Sequence, residues 1–151
     1  MGESPKSASA LIDEGVRLLL AKDMLGFADL WAEDGTMEFP FAPQGAPRRL
    51  EGRTAVREYL RHYTDHMDVR AVPERTVHVT TDPNVVIAEL EVTGVAVATG
   101  RDYRLAYVAV VTARNGEIAH YRDYWDPLAA QEVMGGTAGE PNPFPEGGAA
   151  A

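Results

Sequence analysis

From Ser9 onward, Leu11, Ile12, Val16, Leu19 and Leu20 recur at three- and four-residue spacing, which predicts an amphipathic helix. A second, shorter helix is expected over Met24–Trp31, with Asp23 as its N-cap and Leu25, Ala28 and Trp31 as apolar contacts. Asp34-Gly35 turns the chain into a strand over Thr36–Phe39, and a proline- and glycine-rich loop runs over Pro40–Glu51. Gly52-Arg-Thr opens a third helix with Thr54 as a plausible cap and Val56, Tyr59, Leu60 and Tyr63 on one stripe.

The period then falls to two. Val69–Thr81 carries Pro73, which makes its first part an edge or a bulge. Val85–Ala98, Asp102–Ala113 and Glu117–Trp125 are long strands, joined by the turn Thr81–Asn84, by Thr99-Gly100 and by the hairpin signal Asn115-Gly116. Asp126-Pro127 stops the last strand, Leu128–Met134 reads as a short helix, residues 1–7 as a flexible leader and Gly135–Ala151 as a tail. The order α-α-β-α-β-β-β-β predicts an α+β fold, a curved antiparallel sheet wrapped around N-terminal helices, as one domain over residues 8–134. Such a cone encloses an apolar pocket.

Composition narrows the function classes. The 151 residues are enough for one core, with 45% hydrophobic and 25% charged residues. A net charge of −9 argues against nucleic acid. The chain has no cysteine, which removes thiolate metal sites, disulfides and cysteine nucleophiles. No run of about 18 apolar residues predicts a membrane span, and MGESPKSASA lacks the regions of a signal peptide. The expectation is a cytoplasmic protein with a small-molecule or protein partner, and no phosphate loop or metal-ligand cluster in the sequence calls for a cofactor or metal.

The candidate chemistry lies in the last strand, Ile118-Ala-His-Tyr-Arg-Asp-Tyr-Trp-Asp-Pro127. Side chains alternate, so Tyr121, Asp123 and Trp125 share one side and His120, Arg122 and Tyr124 the other. A carboxylate on an aromatic face is costly unless it has a partner or a task. Desolvation raises its pKa, which suits a general acid or base near neutral pH. The competing reading is a structural carboxylate that accepts hydrogen bonds from a tyrosine, tryptophan or arginine. Tyr103 and Arg104 lie on the neighbouring strand, and a one-residue slip decides which faces the pocket. An inward Arg104 would pair with Asp123 and lower its pKa. Glu89 and Glu91 more naturally face solvent or a dimer partner. His62 and His66 have metal-binding i, i+4 spacing but lack the intervening Glu of a zincin helix, and a solvated helix end explains them.

Two stretches carry a resemblance. Leu30-Trp-Ala-Glu-Asp-Gly-Thr-Met-Glu-Phe-Pro40 with Leu50-Glu-Gly-Arg-Thr-Ala-Val-Arg-Glu-Tyr59 resembles the helix–strand–helix of ketosteroid isomerases and SnoaL-like polyketide cyclases. Arg122-Asp-Tyr-Trp-Asp126 resembles the final strand of limonene-1,2-epoxide hydrolases. Over about residues 8–135 the chain is similar to the nuclear-transport-factor-2-like superfamily, which implies the cystatin-like α+β cone. The resemblance places the isomerase base at Phe39, its oxyanion tyrosine near Gly15 and its partner Asp near Val108, none of which can do that chemistry. It matches the last-strand Asp of the epoxide hydrolases to Asp123. Their other polar groups fall at about Leu90 and Val92 and near Met37 and Phe39. In SnoaL-like cyclases a single acid in a hydrophobic pocket suffices, and Asp123 fills that role.

The resemblance therefore implies a cyclase, isomerase or epoxide hydrolase acting on a small hydrophobic metabolite, with Asp123 as acid/base. Trp31, Phe39, Phe41, Tyr59, Tyr63, Arg104, Tyr107, Tyr121 and Trp125 are the expected substrate-binding residues. A non-catalytic binder of the same fold is the alternative. The superfamily's habit also implies a homodimer through the exposed sheet face.

Overall fold

The computed structural model describes residues 5–133; residues 1–4 of the expected leader, Met134 and the expected tail Gly135–Ala151 lie outside the described residues. Helix α1 (Ala8–Leu20) starts where the Ser7 side chain accepts the Ala10 N–H at 3.1 Å. Its apolar stripe, with Leu11 and Ile12 buried, faces the sheet. Helix α2 (Met24–Ala28) has the expected Asp23 cap, which accepts the Gly26 N–H at 2.9 Å. It stops three residues short of Trp31, because the Leu30 carbonyl instead accepts the Ile118 N–H at 2.8 Å. Trp31 thus opens strand β1 (Trp31–Glu38), which is longer than the expected Thr36–Phe39.

The expected proline-rich loop contains a short strand β2 (Arg49–Glu51), paired antiparallel with the end of β1. Helix α3 (Arg53–Leu60) is preceded by Gly52 rather than capped by Thr54. Gly52 has φ of 88°, a conformation suited to glycine, and its N–H donates to the Gly35 carbonyl at 2.8 Å, which ties the helix start to β1. The expected single stripe through Tyr63 is split by a break before the one-turn helix α4 (Tyr63–His66).

Strands β3 (Met67–Val79), β4 (Val85–Ala96), β5 (Asp102–Arg114) and β6 (Glu117–Trp125) form the antiparallel meander, and helix α5 (Pro127–Val133) follows. Pro73 does not end β3. The strand passes it with register shifts between Val69 and Glu74, since an edge strand absorbs a missing N–H. The sheet order is β2-β1-β6-β5-β4-β3. One pairing departs from the expected antiparallel sheet: β1 and β6 run parallel, with Met37 opposite Tyr121. The helices lie on one face of this sheet, and the main core forms between them.

Candidate functional site

Residues paired across strands point to the same face. In the register of β6, β5 and β4, Asp123 lies opposite Ala109, and Ala109 opposite Ala88. The flanking rows on that face are bulky: Tyr121 with Val111 and Val86 on one side, Trp125 with Tyr107 and Leu90 on the other. Two alanines in the middle row leave the space in front of Asp123 unfilled. The result is a cavity of about 100 Å³, bounded by the sheet and by Leu11, Ile12 and Leu19 of α1.

Asp123 is the one acid on this wall, and no lysine, arginine or histidine lines the cavity among the described residues. The other polar side chains are Tyr59, Tyr63, Tyr107, Tyr121 and Trp125. The Tyr63 and Tyr107 hydroxyls are 3.1 Å apart, so one donates to the other and the acceptor keeps a free O–H. No described residue donates a hydrogen bond to the Asp123 carboxyl or forms an ion pair with it. Burial therefore pushes its pKa up to about 7. Burial also raises all four phenols, and the charge of Asp123 adds to the rise in each, so they stay protonated through the neutral range. The wall thus offers one titrating carboxyl among neutral donors.

Tyr59, Tyr63, Tyr107, Tyr121, Asp123 and Trp125 come together here as the sequence suggests. Trp31 and Phe39 do not reach the cavity surface. Both are fully buried behind it, Trp31 against Tyr121 with ring centroids 5.3 Å apart, and Phe39 against Tyr59 at 4.9 Å and Trp125 at 5.4 Å. They hold the wall in place. Phe41 is 59% exposed and packs edge-on against Tyr124 on the opposite face of the sheet. Arg104 is also on that opposite face, ion-paired with Glu91, because its partner across β4 is Thr93 rather than an inward residue. The structural reading of Asp123 as half of an Arg104 pair is thereby overturned.

The same register turns Leu90 and Val92 inward and Glu89 and Glu91 outward, with Glu89 beside His78 at 2.5 Å. Among the described residues no second acid or arginine joins Asp123 in the manner of the epoxide hydrolases. Tyr103 faces inward but packs in a neighbouring cluster with Met67, Val69 and Val92, and its buried hydroxyl has no hydrogen-bond partner among the described residues. His120 lies on the outer face, hydrogen-bonded to Thr36 and 2.8 Å from Glu38. His62 pairs with Asp65 at 3.3 Å. Among the described residues no group of three or more His, Cys, Asp or Glu side chains could hold a metal ion.

Sequence reasoning passed over Ala88 and Ala109, whose contribution is the volume they do not fill. Ala109→Leu is expected to occupy the space before Asp123. Ligand affinity should fall more than about tenfold, with an overpacking cost of about 1–3 kcal/mol. Titration against tyrosine and tryptophan fluorescence checks the first, urea unfolding the second.

A SnoaL-like domain model matches residues 12–121, most of the chain. The chain is 40% identical over 119 residues to the uncharacterized protein YesE of Bacillus subtilis, covering 79% of this chain and 81% of that one. It is 35% identical over 130 residues to a PhzA/B-like protein of Pseudomonas aeruginosa, covering 86% and 92%. A solved structure of a Bacillus subtilis protein provisionally named an isomerase superposes with a TM-score of 0.82 at 38% identity, covering 86% of this chain and 94% of that one.

Proposed function

The chain belongs to the SnoaL-like domain family, and from that premise we propose that it is a cofactor-independent acid/base enzyme of the cyclase or isomerase type. The observation that carries the reading is a carboxyl with no partner among the described residues on the wall of an apolar cavity, which a phenol pair that keeps one donor free also lines. Ionised Asp123 takes a proton from a carbon next to a carbonyl. The electron pair of that C–H bond moves onto the carbonyl oxygen, which accepts the free O–H of the Tyr63–Tyr107 pair. The carboxylic acid then returns the proton at another carbon, or the enolate carbon attacks a second carbonyl of the substrate, whose π pair moves onto its oxygen and takes the proton from Asp123. The resemblance placed the ketosteroid-isomerase residues for this task at Phe39 and near Gly15 and Val108, but Phe39 is buried behind the cavity wall and Val108 faces the outer groove. Here the donor comes instead from Tyr63 on α4 and Tyr107 on β5.

The cavity limits the substrate to a compact, largely apolar ring. Exchange of the α-protons of cyclohexanone in D2O, followed by NMR at pH 8, tests the reading. Exchange about a hundredfold or more above the buffer rate is expected, the low end of what a positioned base supplies. Binding of the ketone without exchange would leave a carrier of the same fold.

The outer sheet face supports a homodimer. Phe41, Ala106, Val108, Tyr124 and Pro127 line an apolar groove there, and Leu128 is 64% exposed. Val108→Lys is expected to convert a dimer to a monomer in sedimentation. An unchanged mass would end the assignment of this face. Among the described residues no helix is long and apolar enough to cross a membrane.

A further inference from the structure

We infer that the cavity also selects small apolar amines, bound as ammonium ions against Asp123; this goes beyond the ketone chemistry of the preceding section and rests only on its reading of the cavity as the ligand site. The first observation is a contrast with acids that are more exposed yet have a cation beside them. Glu91 is paired with Arg104, Asp34 with Arg114, and Asp68 with both Lys22 and Arg70. Asp123, which is much harder to ionise in its surroundings, has neither a cation nor a hydrogen-bond donor among the described residues. A carboxylate with a structural task accepts bonds from the groups it orders, and this one orders none.

The missing counter-charge can come from a proton or from a ligand. An anion is opposed by Asp123 and by a protein of net charge −9. A neutral ring leaves the ionised carboxyl without a counter-charge. An ammonium supplies both the charge and the N–H donors, and in a low-dielectric wall the charge-assisted bond is strong. The surrounding rings favour the same ion. Phe27, Tyr59, Tyr63, Tyr107, Tyr121 and Trp125 border the cavity, and aromatic faces attract a desolvated cation. A cavity of about 100 Å³ accepts a ligand of roughly ten heavy atoms or fewer, taking about 10–15 Å³ per water-sized group.

The pH dependence has a single source. The groups facing Asp123 are Tyr59 from α3, Tyr63 from α4, Tyr107 from β5 and Tyr121 from its own strand, all phenols that stay neutral; α1, α2, β1 and β4 present apolar side chains. An alkylamine remains protonated across pH 5.5 to 8, so only the carboxyl changes charge. Amine affinity therefore rises as pH rises and the carboxylate forms.

The test uses matched rings in calorimetry: cyclohexylamine, cyclohexanol and cyclohexanecarboxylate at pH 8, with the amine repeated at pH 5.5. The amine should bind at least about tenfold more tightly than the alcohol, a gap within reach of one charge-assisted contact with cation–π support. The carboxylate should not bind. Asp123→Asn should erase the amine preference while alcohol affinity stays within about threefold, and Asp123→Glu should keep the preference. An alcohol that binds as well as the amine, or a preference that survives in Asp123→Asn, overturns the inference. If Asp123→Asn does not fold, the pH comparison decides, and amine affinity unchanged between pH 5.5 and 8 overturns it. Ketone exchange with no amine preference removes this inference and leaves the acid/base reading standing; failure of every ring to bind removes both.

Discussion

Asp123→Asn is expected to slow α-proton exchange from cyclohexanone by about 10² to 10⁴, the span that a positioned general base supplies. The amide has nearly the volume of the carboxyl, so the cavity and the affinity for the ketone should change little. The loss should therefore appear in the rate at saturation. The wild-type profile carries a second signature. The carboxylate is the active form, and burial places its pKa at about 7. The rate should rise with pH, pass its midpoint near 7 and then level, because the four phenols remain protonated well above that point. An exposed aspartate would level near pH 4. NMR exchange rates in D2O from pH 5 to 9, for wild type and variant together, check both. Equal rates in the two proteins would sink the assignment of Asp123 as the base.

Tyr63→Phe and Tyr107→Phe separate the oxyanion donor from the base in the same assay. Each leaves one phenol, which is free to donate to the ligand, so neither single change should approach the loss seen at Asp123. The double change removes the donor altogether and should cost about 10² to 10³, the range for one oxyanion donor.

Why the sequence carried the site in part follows from the kind of signal each residue leaves. Tyr121, Asp123 and Trp125 were legible because a strand alternates with a period of two, and three chemically loud residues fell on one phase. Arg104 was not, since its facing depends on how β5 registers against β4, which is set by the whole meander. Phe41 follows a loop after β1, where no period constrains direction, and it emerged on the opposite face. Trp31 and Phe39 sit in the core as aromatics should, one layer behind the surface that a ligand would touch. The parallel pairing of β1 with β6 joins residues more than eighty apart, and local pattern contains nothing of it. Ala88 and Ala109 are silent for another reason. Alanine carries no chemistry of its own, and its meaning here comes from the bulky rows on either side.

A base of this kind is held against the fold's own preference, and stability measures by how much. Asp123 is protonated more readily in the folded chain, at about 7, than in an unfolded one, at about 3.9. Between these values the native state holds more protons than the unfolded state, so stability must fall as pH rises. Below about pH 4 both states are protonated and the carboxyl costs nothing extra; above about 7 the full penalty is present. The gap corresponds to up to about 4 kcal/mol. Asparagine does not titrate. The difference in unfolding free energy between Asp123→Asn and wild type should therefore shift toward the variant by a few kcal/mol from pH 4 to pH 8, whatever its value at pH 4. Comparing the two proteins cancels every other titrating group, including the exposed ion pairs of the outer face. Urea unfolding at four or five pH values checks it. A pH-independent difference would mean that the folded protein holds Asp123 at an ordinary carboxyl pKa, which its unpartnered position in the cavity wall does not allow.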